Sequence, residues 1–224
     1  PKARQAPQGS PRYHGLSLGH ASGYTPVMDR FARFDEAYYQ RFYVDKATRV
    51  TSAEEHDSLA RFVFCFAEWN KIEIKNVLDI GAGVGLWKKW IAKHQKNVAY
   101  EGTEVSQAMC KKHGFTERDI ARWRDRKKYD LIVCQGVLQY LPDPDLAPAV
   151  ANIAAMSRGL VYFEITTRGD LRERCDQELT DQNIHVRNGS YYRGMLLKYF
   201  LSVGAGLWWS KEQPPPFYEL ETCG

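Results

Sequence analysis

The chain has 224 residues, 44% of them hydrophobic and 26% charged, and a formal net charge of +4. This is the length of one α/β domain with a sizeable core and the composition of an ordinary globular protein, and the mild positive charge tolerates an anionic partner without demanding one. No apolar run reaches membrane-spanning length, no apolar signal core stands near the first residue, and the five cysteines (Cys65, Cys110, Cys134, Cys175 and Cys223) form no C-x-x-C pair. These features exclude a helical membrane span and a disulfide framework, and lead us to expect a cytoplasmic chain with reduced cysteines, no metal site and no membrane partner.

In chain order, residues 1–26 are rich in Pro, Gln, Ser and Gly without periodicity and read as a flexible or wrapping arm. Residues 27–70 read as a helical cap. Phe31, Phe34, Tyr38, Tyr39, Phe42 and Tyr43 recur at close to helical spacing. Ser52 with Glu55 three residues on forms a capping box for a second helix, whose apolar face is Leu59, Phe62, Val63, Phe66 and Ala67. Residues 71–224 read as the core. A buried strand over 77–80 enters Gly81-Ala82-Gly83-Val84-Gly85 and then a helix over 86–96. A strand leading into a glycine turn and a helix start brings bare backbone N–H groups against a ligand. The spacing is D-x-G-x-G-x-G from Asp79, and Leu86 stands where a dinucleotide fingerprint would want its last glycine.

The next strand, over 97–106, carries Glu104, 23 residues after Gly81. That is near the distance at which a nucleotide-binding unit places a carboxylate that accepts from both ribose hydroxyls. Asp119-Ile120 follows a short connection. Residues 129–134 are a strongly apolar strand leading into Gln135-Gly136-Val137-Leu138-Gln139-Tyr140, then a helix over 146–156 and a fifth strand over 159–165. Residues 166–189 are polar without a period. A helix over 190–203, with Met195, Leu196, Tyr199, Phe200 and Val203 on one face, and two strands over 206–210 and 217–220 complete the chain. Pro214-Pro215-Pro216 holds the connector between those strands extended.

This succession resembles the class I S-adenosylmethionine-dependent methyltransferases over roughly residues 30–224, most sharply over 77–143. The resemblance implies an α/β, Rossmann-like sheet of seven strands, mostly parallel with the last antiparallel, flanked by helices and an N-terminal helical cap. It implies S-adenosyl-L-methionine as cofactor and S-adenosyl-L-homocysteine as product. Asp79, Gly81, Ala82, Gly83, Gly85, Leu86 and Trp87 would hold the methionine part, Glu104, Val105 and Ser106 the ribose, Asp119 and Ile120 the adenine. Cys134, Gln135 and Gly136 would line the cofactor by backbone position. Asp79 either reaches the cofactor's amino group or caps its own turn. Tyr38 is a lid over the cofactor or part of a core stripe, and Arg49 a candidate for its carboxylate.

Methyl transfer asks chiefly for in-line placement; holding reactants about 3–3.5 Å apart supplies roughly 7–11 kcal/mol of the barrier. A base matters only where the acceptor must lose a proton. The family often carries His where Tyr140 stands, which leaves a base at that position open. The candidates are His185, Tyr191 and Arg193, with Tyr39, Tyr43, Tyr140, Arg187 and Tyr192 as acceptor-binding residues; His185 also reads as a solvated loop histidine. Chain order puts the acceptor between residues 31–43 and 166–193, and their Tyr and Arg content suggests a planar or acidic small molecule. The leading reading is a small-molecule methyltransferase, monomeric or homodimeric. A nucleic-acid methyltransferase is disfavoured because Cys134-Gln135-Gly136-Val137 replaces the [D/N]-P-P-[Y/F] motif, and the short basic clusters read as solvated faces. The third reading is a non-catalytic cofactor-binding module.

Overall fold

The computed structural model describes residues 29–222, so the expected arm over residues 1–26 lies outside the described residues. Seven strands form one sheet: β1 (Asn76–Ile80), β2 (Ala99–Glu104), β3 (Thr116–Glu117), β4 (Tyr129–Gln135), β5 (Ser157–Glu164), β6 (Phe200–Gly204) and β7 (Leu207–Ser210), in the order β3-β2-β1-β4-β5-β7-β6. Every pairing from β3 through β5 is parallel, while β7 is antiparallel to both β5 and β6. Six strands therefore run one way and the last in sequence is inserted against them.

The apolar strands need cover on both faces, as parallel sheets do. On one face Leu78, Ile80, Ile132, Val161 and Phe163 pack with Leu146, Val150 and Ile153 of α5 (Asp143–Met156) and Leu196 of α7 (Gly189–Leu196). On the other, Val77, Leu131, Val133 and Leu160 meet Val63 and Phe64 of α2 (Ala53–Trp69) and Trp87, Trp90 and Ile91 of α3 (Leu86–His94). Adjacent residues such as Val77 and Leu78 serve opposite faces, as a period of two requires. The capping box of α2 is present: the Ser52 hydroxyl accepts from Glu55 N–H, and the Glu55 carboxylate accepts from Ser52 N–H at 2.7 Å.

Three expectations about elements are corrected. The aromatic stretch is not one helix but a four-residue α1 (Glu36–Tyr39), started by Asp35, whose carboxylate accepts from Tyr38 N–H at 2.8 Å, and continued by a π-turn over Gln40–Val44. The helix expected over 190–203 stops at Leu196, and Phe200–Gly204 is a strand. Tyr199, Phe200 and Val203 fit a helical period, but Phe200 and Ser202 are buried and Leu201 is not, which is the alternation of a strand. Residues 217–220 are not a strand. Phe217 instead docks on Phe66 and Trp209, with ring centroids 5.7 and 5.4 Å away, leaving Tyr218 and Leu220 exposed. The prolines before it have no N–H to offer a sheet.

Sheet order reverses between β1 and β4: the chain runs outward from β1 to β3, then crosses back to β4. Open α/β sheets bind ligands at the carboxyl ends of the strands at such a point.

Candidate functional site

The turn after β1 is built to bring backbone close to a ligand. Gly81 and Gly83 have φ of 70° and 52°, in the left-handed region, and a β-carbon on Gly81 would lie 2.4 Å from Val137 Cγ2. The Gly81 and Ala82 N–H groups donate to the Thr103 carbonyl at 2.8 and 3.0 Å, fixing the turn to β2. Glu104, 2% exposed, completes the cradle: Oε2 accepts from Gly83 N–H at 2.8 Å, and Oε1 from Val105 and Ser106 N–H at 2.7 and 3.1 Å. The start of α3 has no side-chain cap, so its first amides and its positive dipole end are available to an anionic group. Asp79 is buried beneath the turn and accepts from the Tyr100 hydroxyl at 2.6 Å; burial pushes its carboxyl up to about 7.

These groups open on one cavity of about 540 Å³, in the range that encloses a drug-sized ligand. Its roof is aromatic. Tyr38 and Tyr140 hydroxyls lie 2.9 Å apart, and the Tyr39 ring comes within 3.3 Å of where a β-carbon on Gly83 would sit. Burial raises the hydroxyl pKa of Tyr38, Tyr39 and Tyr43, and pushes Tyr140 up to about 12, so all four are neutral donors. The Glu104 carboxylate nearby raises the Tyr39 hydroxyl pKa further. Arg33 ties the roof to the segment after β5: it pairs with Asp181, donates to the Asn183 carbonyl, and lies over the rings of Phe34, Tyr38 and Tyr140 at 5.1, 5.7 and 5.3 Å. At the strand tips, Trp87 Nε1 donates to Gln135 Oε1 at 2.9 Å, and Gln135 Nε2 to Glu164 Oε2 at 3.2 Å. The Tyr162 hydroxyl donates to the same Oε2 at 3.0 Å. Glu164 is exposed at the strand tip, and partial desolvation by the groups around it nonetheless holds its carboxyl above its ordinary range.

The structure brings most of the expected cofactor residues to this cavity: Asp79, Gly81, Ala82, Gly83, Leu86 and Trp87 at the turn, Glu104 and Val105 at β2, Asp119 and Ile120 beyond β3, Gln135 and Gly136 at β4. Tyr38, Tyr39, Tyr43 and Tyr140 line it as well. Others do not reach it. Gly85 packs toward Phe115, Ser106 caps α4 (Gln107–His113), and Cys134 lies wholly inside the apolar core. Arg49 does not line the cavity; its guanidinium faces Glu54 at 4.0 Å.

The larger correction concerns the acceptor side. Arg187 is buried, donating to Asp143, to the Leu141 carbonyl at 2.7 Å and to the Tyr192 hydroxyl at 3.1 Å. It braces the segment against α5, and Tyr192 joins the core there. This holds Tyr191, Arg193 and His185 on the outside, exposed; the Tyr191 ring lies under the Arg187 guanidinium at 5.8 Å, and the His185 N–H donates to the Gln139 carbonyl at 2.8 Å. Neither expected arginine lines the cavity. Residues that the sequence reading passed over take their place: Glu164, Gln139, Thr166, Thr180 and Asp181. Glu164 could have been found by the rule that picked Glu104, an acid closing an apolar strand.

A family pattern described as a methyltransferase domain matches residues 38–201 of the chain. The chain belongs to this family. Curated relatives of the methyltransferase domain include the ubiquinone biosynthesis O-methyltransferase of Coxiella burnetii (strain RSA 493 / Nine Mile phase I), 28% identical over 42% of this chain and 44% of that protein. The one from Pasteurella multocida (strain Pm70) is 25% identical over 48% and 53%. The match thus spans about half the length of the curated relatives. Two solved structures share its fold. Streptomyces venezuelae DesVI superposes with a TM-score of 0.57 at 16% identity, over 77% of this chain and 95% of that one. Magnesium protoporphyrin IX methyltransferase from Synechocystis PCC 6803, with bound SAM, gives 0.54 at 18% identity, over 80% and 86%. The seven-stranded sheet with its antiparallel last strand is the fold expected from the sequence. Among the described residues no helix is long and apolar enough to cross a membrane.

Proposed function

We propose that this methyltransferase domain binds S-adenosyl-L-methionine and transfers its methyl group to a small-molecule acceptor. One observation carries the reading: the Gly81–Gly83 turn, the uncapped start of α3 and the buried Glu104 carboxylate face a single cavity at the switch point of the sheet. The residues fit the cofactor. The turn leaves no β-carbon in the way, Glu104 accepts from ribose hydroxyls, Asp79 receives the ammonium, Asp119 and Ile120 flank the base, and α3 faces the carboxylate. Bound there, the cofactor supplies an activated methyl group on a sulfonium.

The protein's own share is placement and dryness. The aromatic roof excludes water and fixes the acceptor's approach, while Gln135, held by Trp87, orients the tip of β4 beside β5. The domain is read as residues 27–224 with a cap over 27–70, working in the cytoplasm with reduced cysteines. Titration calorimetry with S-adenosylmethionine tests the proposal, with binding expected for the wild-type chain and none for Gly83→Val. Absence of heat with the wild type, or normal binding by the variant, overturns it.

A further inference from the structure

The charges around the cavity are lopsided. Among the described residues six acids and one arginine line it, in a chain whose net charge is positive. Four of the acids are already occupied in structure or in the reading above: Asp79, Glu104 and Asp119 face the cofactor, and Glu55 caps α2. A fifth, Asp181, is neutralised by Arg33. Arg118, the single basic lining group, lies over Trp123 at 5.7 Å on the adenine side. That leaves Glu164. Its Oε2 takes the hydrogen bonds of Gln135 and Tyr162, and neither bond uses Oε1. It stands at the tip of β5, in register with Gln135 at the tip of β4. A carboxylate open to the cavity, with one oxygen free of donors among the described residues, calls for a donor, and the Tyr38, Tyr43 and Tyr140 rings in the same lining favour a cation over an anion.

We propose that the methyl acceptor is an amine carried on a flat apolar scaffold, with Glu164 receiving its ammonium group and taking its proton. This rests on the methyltransferase reading and names its substrate class. The balance is as follows. The ammonium gives one proton to the Glu164 carboxylate, which frees the nitrogen lone pair. That pair forms the N–CH₃ bond as the S–CH₃ bond breaks, and the electrons of the broken bond stay on sulfur, leaving a neutral thioether and an N-methylated ammonium. An acidic acceptor has no cation to meet here, and a neutral hydroxyl brings no positive charge to offset the Glu164 carboxylate.

The test uses three matched probes, 2-phenylethylamine, 2-phenylethanol and phenylacetate, titrated into the protein saturated with S-adenosylhomocysteine. The amine should bind at least about tenfold tighter than the alcohol, and the acid weakest. Glu164→Gln should cost the amine about tenfold or more and leave the alcohol within about twofold, and Glu164→Asp should restore part of the loss. A preference for the alcohol or the acid, equal losses for all three probes in Glu164→Gln, or no amine binding at about 10 mM overturns the proposal. Cofactor binding by the wild type is measured alongside. Its absence would fail the methyltransferase reading itself, whereas its presence with the wrong probe order fails only the amine.

Discussion

The two halves of the cavity are made of different material. The cofactor half is backbone: N–H groups of a turn, a helix start and a strand end, with their positions set by the register of β1, β2 and β4. The acceptor half is side chain: phenol rings on a four-residue helix and a π-turn, held by Arg33 to a segment without regular structure between α6 (Arg168–Glu173) and α7. A backbone site needs a sequence pattern, because only glycine tolerates the turn and only an acid staples it. A side-chain site needs shape and charge, which many sequences supply. The first is therefore general to the fold and the second particular to the chain.

The sharpest way to break this contrast is Glu104→Ala. Three N–H groups lose their acceptor and the cradle loses its staple, so cofactor affinity should fall by about 100-fold or more, and stability by about 2–4 kcal/mol. Calorimetry and urea unfolding read both; a loss below about tenfold would mean that the turn holds its shape without Glu104. Next in size is Arg187→Ala, which strips partners from the Leu141 carbonyl and the Tyr192 hydroxyl. We expect about 2–3 kcal/mol of destabilisation in urea with cofactor affinity unchanged. If stability holds while turnover disappears, Arg187 belongs with the acceptor after all.

The pH response sharpens the contrast from the cofactor side. Asp79 is raised from 3.8 to about 7 by burial. Between those values the folded chain holds a proton that the unfolded chain has released, so ligand-free stability should decline as pH rises through that window. An ammonium beside the carboxylate favours the ionised form, so cofactor affinity should instead climb, by up to about tenfold per pH unit below 7, and level off above. Asp79→Asn should flatten both curves; a pH-dependent affinity surviving in that variant would place the titrating group elsewhere. The smallest effect is expected of Tyr39→Phe. Its hydroxyl sits near the Glu104 carboxylate in the ligand-free chain, where it competes with a ligand for that acid, so removing it should tighten cofactor binding about 3- to 10-fold. Weaker binding would mean that the hydroxyl serves the ligand rather than competing with it.

What the sequence disclosed follows the same division. Asp79, Gly81, Gly83 and Glu104 stand at fixed spacings that the turn and the parallel pairing demand, so their places in the cavity were legible. Gly85, Ser106 and Cys134 share those stretches but point into packing, because neighbours on a strand or helix start alternate in direction. On the acceptor side, Arg187 read as a candidate for an acidic acceptor, because nothing in a sequence shows that Asp143, 44 residues back, lies against it. The end of the sheet was legible in outline only. Tyr199, Phe200 and Val203 fit a helical period, and tertiary pairing with β7 overrides it to make the segment a strand.

Arg33 also has a kinetic side. It joins the roof to the 181–183 segment through an ion pair, a carbonyl and three ring faces, so both walls of the acceptor space part together or not at all. Under the proposed function, entry and departure would both have to open that tie, and the residence time of the spent cofactor would follow how often it lets go. Part of its grip is Coulombic and only partly shielded from solvent, with Arg33 30% and Asp181 10% exposed. Added salt should therefore shorten the residence time, and an enzyme limited by release would turn over faster in it.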